Sequence, residues 1–464
     1  MENFKYGVIL DKRPQDWEII QQENGFGKLK LAGHVNLYDN EWEMCNDHRV
    51  FVRILDEETE TRLFAPVQVP VTKDNTNWEV EIDVPAGGLY RVETYLRHNR
   101  NWEKRGDRIL HLGVGDIYVI AGQSNAVGVG RDAILDPVST DVHVFRHSGK
   151  WAIAAHPLND ATDSIFPEVR DESCIGNSPW IAFGKILSKK LGYPIGLIPA
   201  AKGGVPLDFW DRERDGRIFK NMVEMIKVAD TKVKGILWYQ GCNDSVDPKR
   251  REIYLERFKE VVKDFESVFY KGIPVLTVQL NKMTCSKDQD LVKVGREYAE
   301  LREAQRQAAL QIDNVYMVPS IDLPVCDGIH NCGMSTLVIG QRVANLALKY
   351  VYGKDAVCDA PNIARVERDG NDALNLYFDN VYEMIFSDLN GVETLMFTVK
   401  DEDGVINPVD YDSCMDNKVW VKFERKIGKN ATISCDHYNA TELVLYDMFS
   451  YLPIIPFCDV KIED

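Results

Sequence analysis

The sequence predicts an α/β protein in which a mainly parallel sheet lies between two regions of β structure. Short apolar runs alternate with helical patterns over residues 113–355, an order typical of parallel sheets. Residues 1–112 and 356–464 contain period-two segments such as HRVFVRILD and VWVKFER. The length of 464 residues allows about three domains, so we predict an N-terminal β-sandwich domain (1–112), a central α/β domain (113–355) and a C-terminal β domain (356–464).

The composition is that of an ordinary globular protein, with 45% apolar and 27% charged residues. The net charge of -17 argues against nucleic acid or an anionic membrane as a partner, because both require clustered Lys and Arg. The chain as given shows no secretion signal and no apolar run of the ~20 residues that a membrane span needs. We therefore expect a cytoplasmic protein whose ten cysteines are free thiols, and without paired Cys spacings we expect no metal site.

Five short apolar runs are the candidate strands of the central sheet, and they cover residues 117–121, 195–200, 235–239, 275–280 and 315–318. A helix is predicted between the first two strands, since Ser178 is a natural N-cap, Pro179 suits the first helical position and Gly192 fits the end. Further helical patterns cover residues 251–270, 296–311 and 334–352.

The first of these strands breaks at Gly122 and is followed almost at once by Ser124. Ligands of open α/β sheets collect at the carboxyl ends of the strands, so a serine on a sharp turn there is placed like a nucleophile. The alternative is a helix N-cap, because Ser and Asn both cap helices. A serine hydroxyl is a weak nucleophile and needs a neighbouring base.

The best candidate base is His330, which forms a D-x-x-H pair with Asp327 in a Gly-containing loop after the last strand. His330 can accept the proton of Ser124, and Asp327 can orient the imidazole and stabilise the imidazolium. The α/β-hydrolase elbow G-x-S-x-G is absent, because the residue two places after Ser124 is Ala126.

Polar motifs follow four of the five strands and are expected to converge on one edge of the sheet. The second strand leads to Gly203 and Gly204, and the third leads to Gln240 and Asn243. Attack on an ester creates an oxyanion that needs preorganised donors, and glycine lets a backbone N–H approach without a Cβ in the way. The N–H groups of Gly204 and Ser124 are therefore candidate donors, although a plain turn is the alternative for the glycine pair.

Four blocks in this order, GQSN, GGVPLDFW, WYQGCND and DGIH, resemble the blocks of the SGNH hydrolases. More closely, they resemble the sialate O-acetylesterase branch, which includes plant-type and bacterial carbohydrate acetylesterases. The segments LREAQRQAAL and LVLYDMFSYLPIIPF are similar to that branch as well. The resemblance implies an SGNH-hydrolase (flavodoxin-like) core of three layers over residues 113–355, flanked by two β-sandwich-like domains. It also implies a catalytic triad of Ser124, Asp327 and His330.

The resemblance implies a side-chain amide as a third oxyanion donor. The general SGNH pattern G-x-N-D places Asn243 there, but this position is often not Asn in the sialate branch, so Gln240 is kept as a second candidate. Gln123 and Gly203 are expected to contact the substrate, and Trp210 is a further candidate that we expect to pack under the site rather than stack on a sugar. The long connection over residues 131–177 is expected to cover the pocket and select the substrate. It contains three histidines and a tryptophan: His143, His147, His156 and Trp151.

The function implied by the resemblance is that of a serine esterase acting on an acetylated mono- or oligosaccharide through an acetyl-enzyme, with no cofactor. O-acetylated sialic acid is suggested by the resemblance alone, and acetylxylan or another acetylated oligosaccharide is the alternative. Another SGNH hydrolase acting on lipid or thioester is a further rival, as is a carbohydrate-binding protein with an inactive esterase core. The sequence identifies neither the sugar nor the oligomeric state.

Overall fold

The computed structural model describes residues 6–44, 47–98, 102–171, 175–284, 291–387, 397–435 and 445–463. The N-terminal region consists of strands and one short helix: β1 Gly7–Lys12, β2 Ile19–Gln21, β3 Phe26–Asn36, α1 Asp39–Glu43, β4 His48–Asp56, β5 Val67–Val71, β6 Asn77–Pro85, β7 Gly87–His98 and β8 Trp102–Gly122. Strands β1, β3 and β6 form a three-stranded antiparallel sheet. Strand β4 pairs antiparallel with β5 and with β7, and β7 pairs antiparallel with β8.

The strand β8 joins the N-terminal region to the centre of the molecule. Its first part pairs with β7, and its last part lies inside a parallel sheet, so one strand belongs to both regions. The boundary predicted between residues 112 and 113 falls inside this strand. The apolar side chains nevertheless form separate clusters, one around Val52 and Leu96 and another around Val119 and Leu237.

The central region alternates strands and helices: α2 Ser124–Val127, β9 Val142–Phe145, β10 Trp151–Ile153, α3 Pro179–Leu191, β11 Ile195–Pro199, α4 Arg217–Val228, β12 Gly235–Tyr239, α5 Cys242–Ser245, α6 Pro248–Glu252, α7 Tyr254–Val268, β13 Val275–Val278, α8 Leu291–Gln311, β14 Val315–Val318 and α9 Gly333–Leu346. Short 3-10 helices cover Pro167–Val169 and Leu207–Phe209. None of the described helices is both long and apolar enough to cross a membrane.

The order of strands in this region is β10-β9-β11-β8-β12-β13-β14, and every neighbouring pair except β10 and β9 is parallel. Strands β11, β12 and β13 are buried at every residue, so both faces of the sheet are covered. After β8 the chain builds β9 to β11 on one side of it and then β12 to β14 on the other. The carboxyl end of β8 is therefore a topological switch point, where open α/β sheets bind their ligands.

The predicted strands of the central sheet and the first predicted helix are confirmed. In α3 the Ser178 hydroxyl accepts a hydrogen bond from the Trp180 N–H, and Gly192 ends the helix with a φ of +80°. The segment 251–270, predicted as one helix, contains two helices, α6 and α7. In the segment 334–352, α9 ends at Leu346 and is followed by a π-helical turn, Ala347–Val351.

The C-terminal region consists of strands within its described residues: β15 Asn362–Asp369, β16 Ala373–Asp379, β17 Ile385–Ser387, β18 Phe397–Asp401, β19 Gly404–Ile406, β20 Pro408–Met415, β21 Lys418–Phe423, β22 Thr432–Cys435, β23 Leu445–Asp447 and β24 Val460–Lys461. They form two four-stranded sheets, β15-β16-β21-β20 and β19-β18-β22-β24, and the pair β17-β23. Their inward side chains, such as Val366 and Val421, make up a third hydrophobic cluster.

Candidate active site

Ser124 is the first residue of α2 and lies directly beyond the end of β8. Gly122 has a φ of +130°, and a Cβ at this position would lie 2.2 Å from the carbonyl oxygen of Tyr239, so only glycine fits here. The Gln123 N–H donates to that same carbonyl oxygen at 2.9 Å. These contacts bind the turn to β12. Because the first N–H groups of a helix have no acceptor within it, the Ser124 N–H remains available.

Ser124, His330 and Asp327 form a continuous hydrogen-bonded chain. His330 Nε2 lies 2.8 Å from Ser124 Oγ, and His330 Nδ1 lies 2.8 Å and 3.0 Å from the two carboxylate oxygens of Asp327. The side chains of His330 and Asp327 are only 17% and 23% exposed. In this arrangement the imidazole can take the serine proton while the carboxylate holds the tautomer that leaves Nε2 free to accept it.

The surroundings of Asp327 favour its ionised form. Burial raises the pKa of Asp327, but hydrogen bonds from His330 and the charge on that ring lower it more, so the net pKa lies below the usual value. The Asp327 carboxylate also accepts the His330 N–H at 3.1 Å. Arg131 Nη2 lies 3.6 Å from the other carboxylate oxygen, and its side chain is 66% exposed. The exposed, positively charged side chain of Arg131 therefore lies beside Asp327 at the outer edge of the site.

Residues 203–207, here called the glycine turn, follow β11 and bring Gly204 to the surface with a φ of +69°. Within the described part of the chain, the Gly204 N–H has no hydrogen-bond acceptor. Asn243 Nδ2 donates to the Gly204 carbonyl oxygen at 2.5 Å. An amide carries two N–H donors, so Asn243 keeps one for a ligand beside Gly204.

Gln240 is placed differently from Asn243, and its prediction as an oxyanion donor is corrected. Its side chain is fully buried, and Nε2 donates to Asp244 at 2.5 Å and to the Val205 carbonyl oxygen at 3.3 Å. Its Oε1 accepts a hydrogen bond from Tyr254 at 3.1 Å. The amide is thus engaged below the glycine turn and has no donor to offer at the surface.

Two carboxylates bind the backbone of the glycine turn. Asp244, 1% exposed, accepts the Leu207 N–H with both oxygens, at 3.0 Å and 3.2 Å. Asp171 accepts the Gly203 N–H at 3.1 Å. Burial raises the pKa of Asp244 to about 6, although the hydrogen bonds from Gln240 and Leu207 act in the opposite direction.

The three candidate substrate-contacting residues make contacts within the protein, and Trp210 packs under the site as expected. Gln123 is 2% exposed, and its Oε1 accepts the Gly241 N–H at 3.0 Å, so it supports the turn after β12. The Gly203 N–H already donates to Asp171. Trp210 is fully buried, and its ring packs against Trp238 at 5.2 Å, so no face of it is open to a sugar.

The histidines of the connection over residues 131–177 are structural, which corrects the prediction that they roof the pocket. His143 and His147 are buried and contact backbone carbonyl oxygens, while His156 pairs with Asp136 at 2.8 Å. Arg131 and Asp171 of the same connection contact the site instead. Among the residues that the structure describes, no three His, Cys, Asp or Glu side chains are placed to hold a metal ion.

A residue beyond the end of the fourth central strand contacts the site although no motif in the sequence indicated it. Asn281 follows β13, is fully buried, and donates through Nδ2 to the Ile329 carbonyl oxygen at 2.9 Å. It thereby contacts the loop that carries His330. Its position at the carboxyl end of a central strand was the available signal, since the other four such ends all carried motifs.

The chain is similar to known carbohydrate esterases. A family model described as "Carbohydrate esterase, sialic acid-specific acetylesterase" matches residues 114–349. A probable carbohydrate esterase from Arabidopsis thaliana is 26% identical over 255 residues, which cover 50% of this chain and 90% of that protein. The crystal structure of a carbohydrate acetylesterase from Xanthomonas citri superposes with a TM-score of 0.63 at 18% identity, covering 96% of this chain and 98% of that one. The last similarity is one of fold.

Proposed function

Because the chain belongs to the carbohydrate esterase family described as sialic acid-specific acetylesterases, we propose that it is a serine esterase that removes O-acetyl groups from carbohydrates. Ser124 is the proposed nucleophile, His330 the base and Asp327 the group that orients His330. The observation that carries this proposal is the hydrogen-bonded chain from Ser124 Oγ through His330 to Asp327. Its location at the switch point of the sheet supports the same function.

The proposed reaction passes through an acetyl-enzyme. Ser124 Oγ bonds to the acetyl carbonyl carbon while its proton moves to His330 Nε2. The tetrahedral intermediate then loses the sugar oxygen, which takes the proton from His330. Water attacks the acetyl group on Ser124 and gives a proton to His330, acetate leaves, and Ser124 recovers its proton. Asp327 remains ionised throughout and stabilises the imidazolium in both halves.

The oxyanion of the tetrahedral intermediate is proposed to accept hydrogen bonds from the N–H groups of Ser124 and Gly204 and from Asn243 Nδ2. The contact of Asn243 with the Gly204 carbonyl oxygen favours Asn243 over the buried Gln240. Each such donor contributes about 10²–10³-fold to the rate of an acyl transfer.

O-acetylated sialic acid is the proposed substrate, and Arg131 is the feature that supports it. A sugar carboxylate needs a cation, and the Arg131 guanidinium lies exposed at the mouth of the site. Acetylxylan and other neutral acetylated oligosaccharides are the alternative, since their recognition would not require Arg131. We further propose that an SGNH-type core spans residues 113–355 between two sandwich-like domains, in accord with the large hydrophobic cluster that each of the three regions has.

The test of the activity is acetate release from 4-nitrophenyl acetate and from 9-O-acetylated sialic acid. Wild type is expected to cleave both, and Ser124→Ala to lose at least about 10³-fold in kcat, since the nucleophile is gone. Ser188→Ala removes a buried serine hydroxyl from α3 and should leave kcat unchanged. Equal rates for wild type and Ser124→Ala would overturn the proposal. Sugar binding without any turnover in wild type would favour the binding protein with an inactive core.

The test of the substrate is the variant Arg131→Gln. Loss of the cation is expected to lower kcat/KM for acetylated sialic acid about tenfold, mainly through KM, with less than about a threefold change for 4-nitrophenyl acetate. Arg365→Gln removes an exposed guanidinium of the C-terminal region and serves as the control. An equal loss on both substrates would show that Arg131 does not select the sugar carboxylate.

A further inference from the structure

The loop over residues 325–331, here called the histidine loop, is bound to the rest of the site by hydrogen bonds on both sides of His330. Before His330, the Ile329 carbonyl oxygen accepts Asn281 Nδ2 at 2.9 Å and Asn125 Nδ2 at 3.2 Å. After it, the Asn331 N–H donates to Asn125 Oδ1 at 3.1 Å. The peptide that carries the proposed base is therefore attached at both of its neighbours.

Asn125 connects the base directly to the nucleophile. It follows Ser124 in α2, is 4% exposed, and uses both ends of its amide on the histidine loop. A displacement of this loop relative to Ser124 would break two hydrogen bonds of one side chain. The distance from His330 Nε2 to Ser124 Oγ is thus coupled to the Asn125 amide.

Asn281 completes the attachment from the opposite side. Its Nδ2 also lies 2.6 Å from Asn331 Oδ1, which accepts in addition the Tyr239 hydroxyl at 3.0 Å. Tyr239 is the last residue of β12, and Asn281 follows the carboxyl end of β13. Two strands of the central sheet therefore fix the position of the histidine loop. These side chains are buried and uncharged.

Asp327 cannot fix the distance between base and nucleophile. It lies on the histidine loop itself, only three residues from His330, and so moves with it. Its hydrogen bonds determine the orientation of the imidazole relative to the loop and leave the position of the loop relative to Ser124 undetermined. Contacts that originate outside the loop must supply that restraint.

We propose that Asn125 and Asn281 are positioning residues that together hold His330 at hydrogen-bonding distance from Ser124. The inference rests on the proposed function, because it assigns these amides a role in the same reaction. A misplacement of about 1 Å in a reacting group costs about 10²-fold in rate, which is why neutral amides that take no part in the proton transfers matter here.

The test is Asn281→Ala, with Asn314→Ala as the matched control. Asn314 is a buried asparagine whose Nδ2 donates to the Ile273 carbonyl oxygen at 2.6 Å, just before the amino end of β13, so each variant removes amide–carbonyl bonding beside the same strand. Both variants should lower the Tm. Only Asn281→Ala is expected to lower kcat for 4-nitrophenyl acetate, by about 10–100-fold, with KM changed by less than about threefold.

A second variant distinguishes the loss of the Asn281 hydrogen-bond donor from the loss of side-chain volume. Asn281→Leu keeps a branched side chain in the same space but has no N–H to donate to the Ile329 carbonyl oxygen, so its kcat should fall at least as far as that of Asn281→Ala. Equal kcat values for Asn281→Ala and Asn314→Ala, or full activity of Asn281→Leu, would overturn the inference while wild type remained active and dependent on Ser124. Wild type with no activity beyond Ser124→Ala would instead overturn the proposed function.

Discussion

The two segments that meet at Ser124 are held in place by different chemistry. The histidine loop is bound by the neutral amides of Asn125 and Asn281. The glycine turn is bound by the carboxylates of Asp171 and Asp244. Hydrogen bonds to a charged acceptor are stronger than neutral ones, but a carboxylate keeps that strength only while it is ionised. The histidine loop is thus bound to the rest of the site by neutral amides, whereas the glycine turn depends in part on Asp244, a carboxylate whose pKa is raised.

The binding of the glycine turn by Asp244 is expected to change with pH. Burial raises the pKa of Asp244 to about 6, with Arg250 opposing and Asp208 adding to the shift. The folded protein therefore binds a proton at Asp244 between about pH 4 and pH 6 that the unfolded chain releases, so the contribution of this group to stability falls as the pH rises through that range. Above it, Asp244 is ionised and binds the Leu207 N–H most strongly. We expect the glycine turn to be best ordered at neutral and higher pH.

The largest effect that bears on the comparison is expected from Asn243→Ala. Asn243 contacts the glycine turn at Gly204 and is the proposed third oxyanion donor, so kcat for 4-nitrophenyl acetate should fall about 10²–10³-fold with little change in KM. Steady-state kinetics of the purified variant measures this. A loss of less than about tenfold would leave the role to the backbone N–H donors of Ser124 and Gly204 alone, and would make the glycine turn less important than the histidine loop.

A smaller but more specific effect is expected from Asp244→Asn. Asparagine offers one acceptor oxygen where the carboxylate offers two, so kcat at about pH 8 should fall roughly tenfold. Towards about pH 5 the wild-type Asp244 becomes protonated and resembles asparagine, so the ratio of the two rates should approach one. The measurement is kcat of both proteins across that range.

Two controls accompany the pH series. Asp447 is a buried aspartate of the C-terminal region that also accepts backbone N–H groups, from Tyr382, Glu383 and Ser450, so Asp447→Asn should lower the Tm and leave kcat unchanged. The ratio of Asn281→Ala to wild type should stay constant with pH, because neutral amides do not titrate. A constant ratio for Asp244→Asn as well would remove the distinction between the two segments.

Much of the fold follows from short-range patterns in the sequence. The apolar runs at residues 117–121 and 235–239 predict buried strands, and the Ser178-Pro179 start with the Gly192 end predicts α3, because caps and breakers act within a few residues. The continuation of β8 across residue 112 has no such signal. Its first part is paired with β7 and its last part with β11 and β12, and that change of partners depends on contacts far apart in the chain.

The residues of the site also differ in whether the sequence could predict their roles. Ser124, His330 and Asp327 could be located because each stands at a strand end in a residue pattern with a chemical meaning. Asn281 and Asp244 could not be assigned a role, since a buried polar side chain is defined by the distant backbone group that it binds. For Trp210 the expectation of packing is met, and the contact with Trp238 identifies the ring against which it packs.

The most direct test of the account is the location of the acetyl group during turnover. Wild type would be mixed with 4-nitrophenyl acetate, quenched in acid within milliseconds, digested, and analysed by peptide mass spectrometry. The account predicts one acetyl group on Ser124, which accumulates before steady state and is absent from Ser124→Ala. Acetylation of another side chain, such as the exposed thiol of Cys326, at the rate of turnover and unchanged in Ser124→Ala would contradict it.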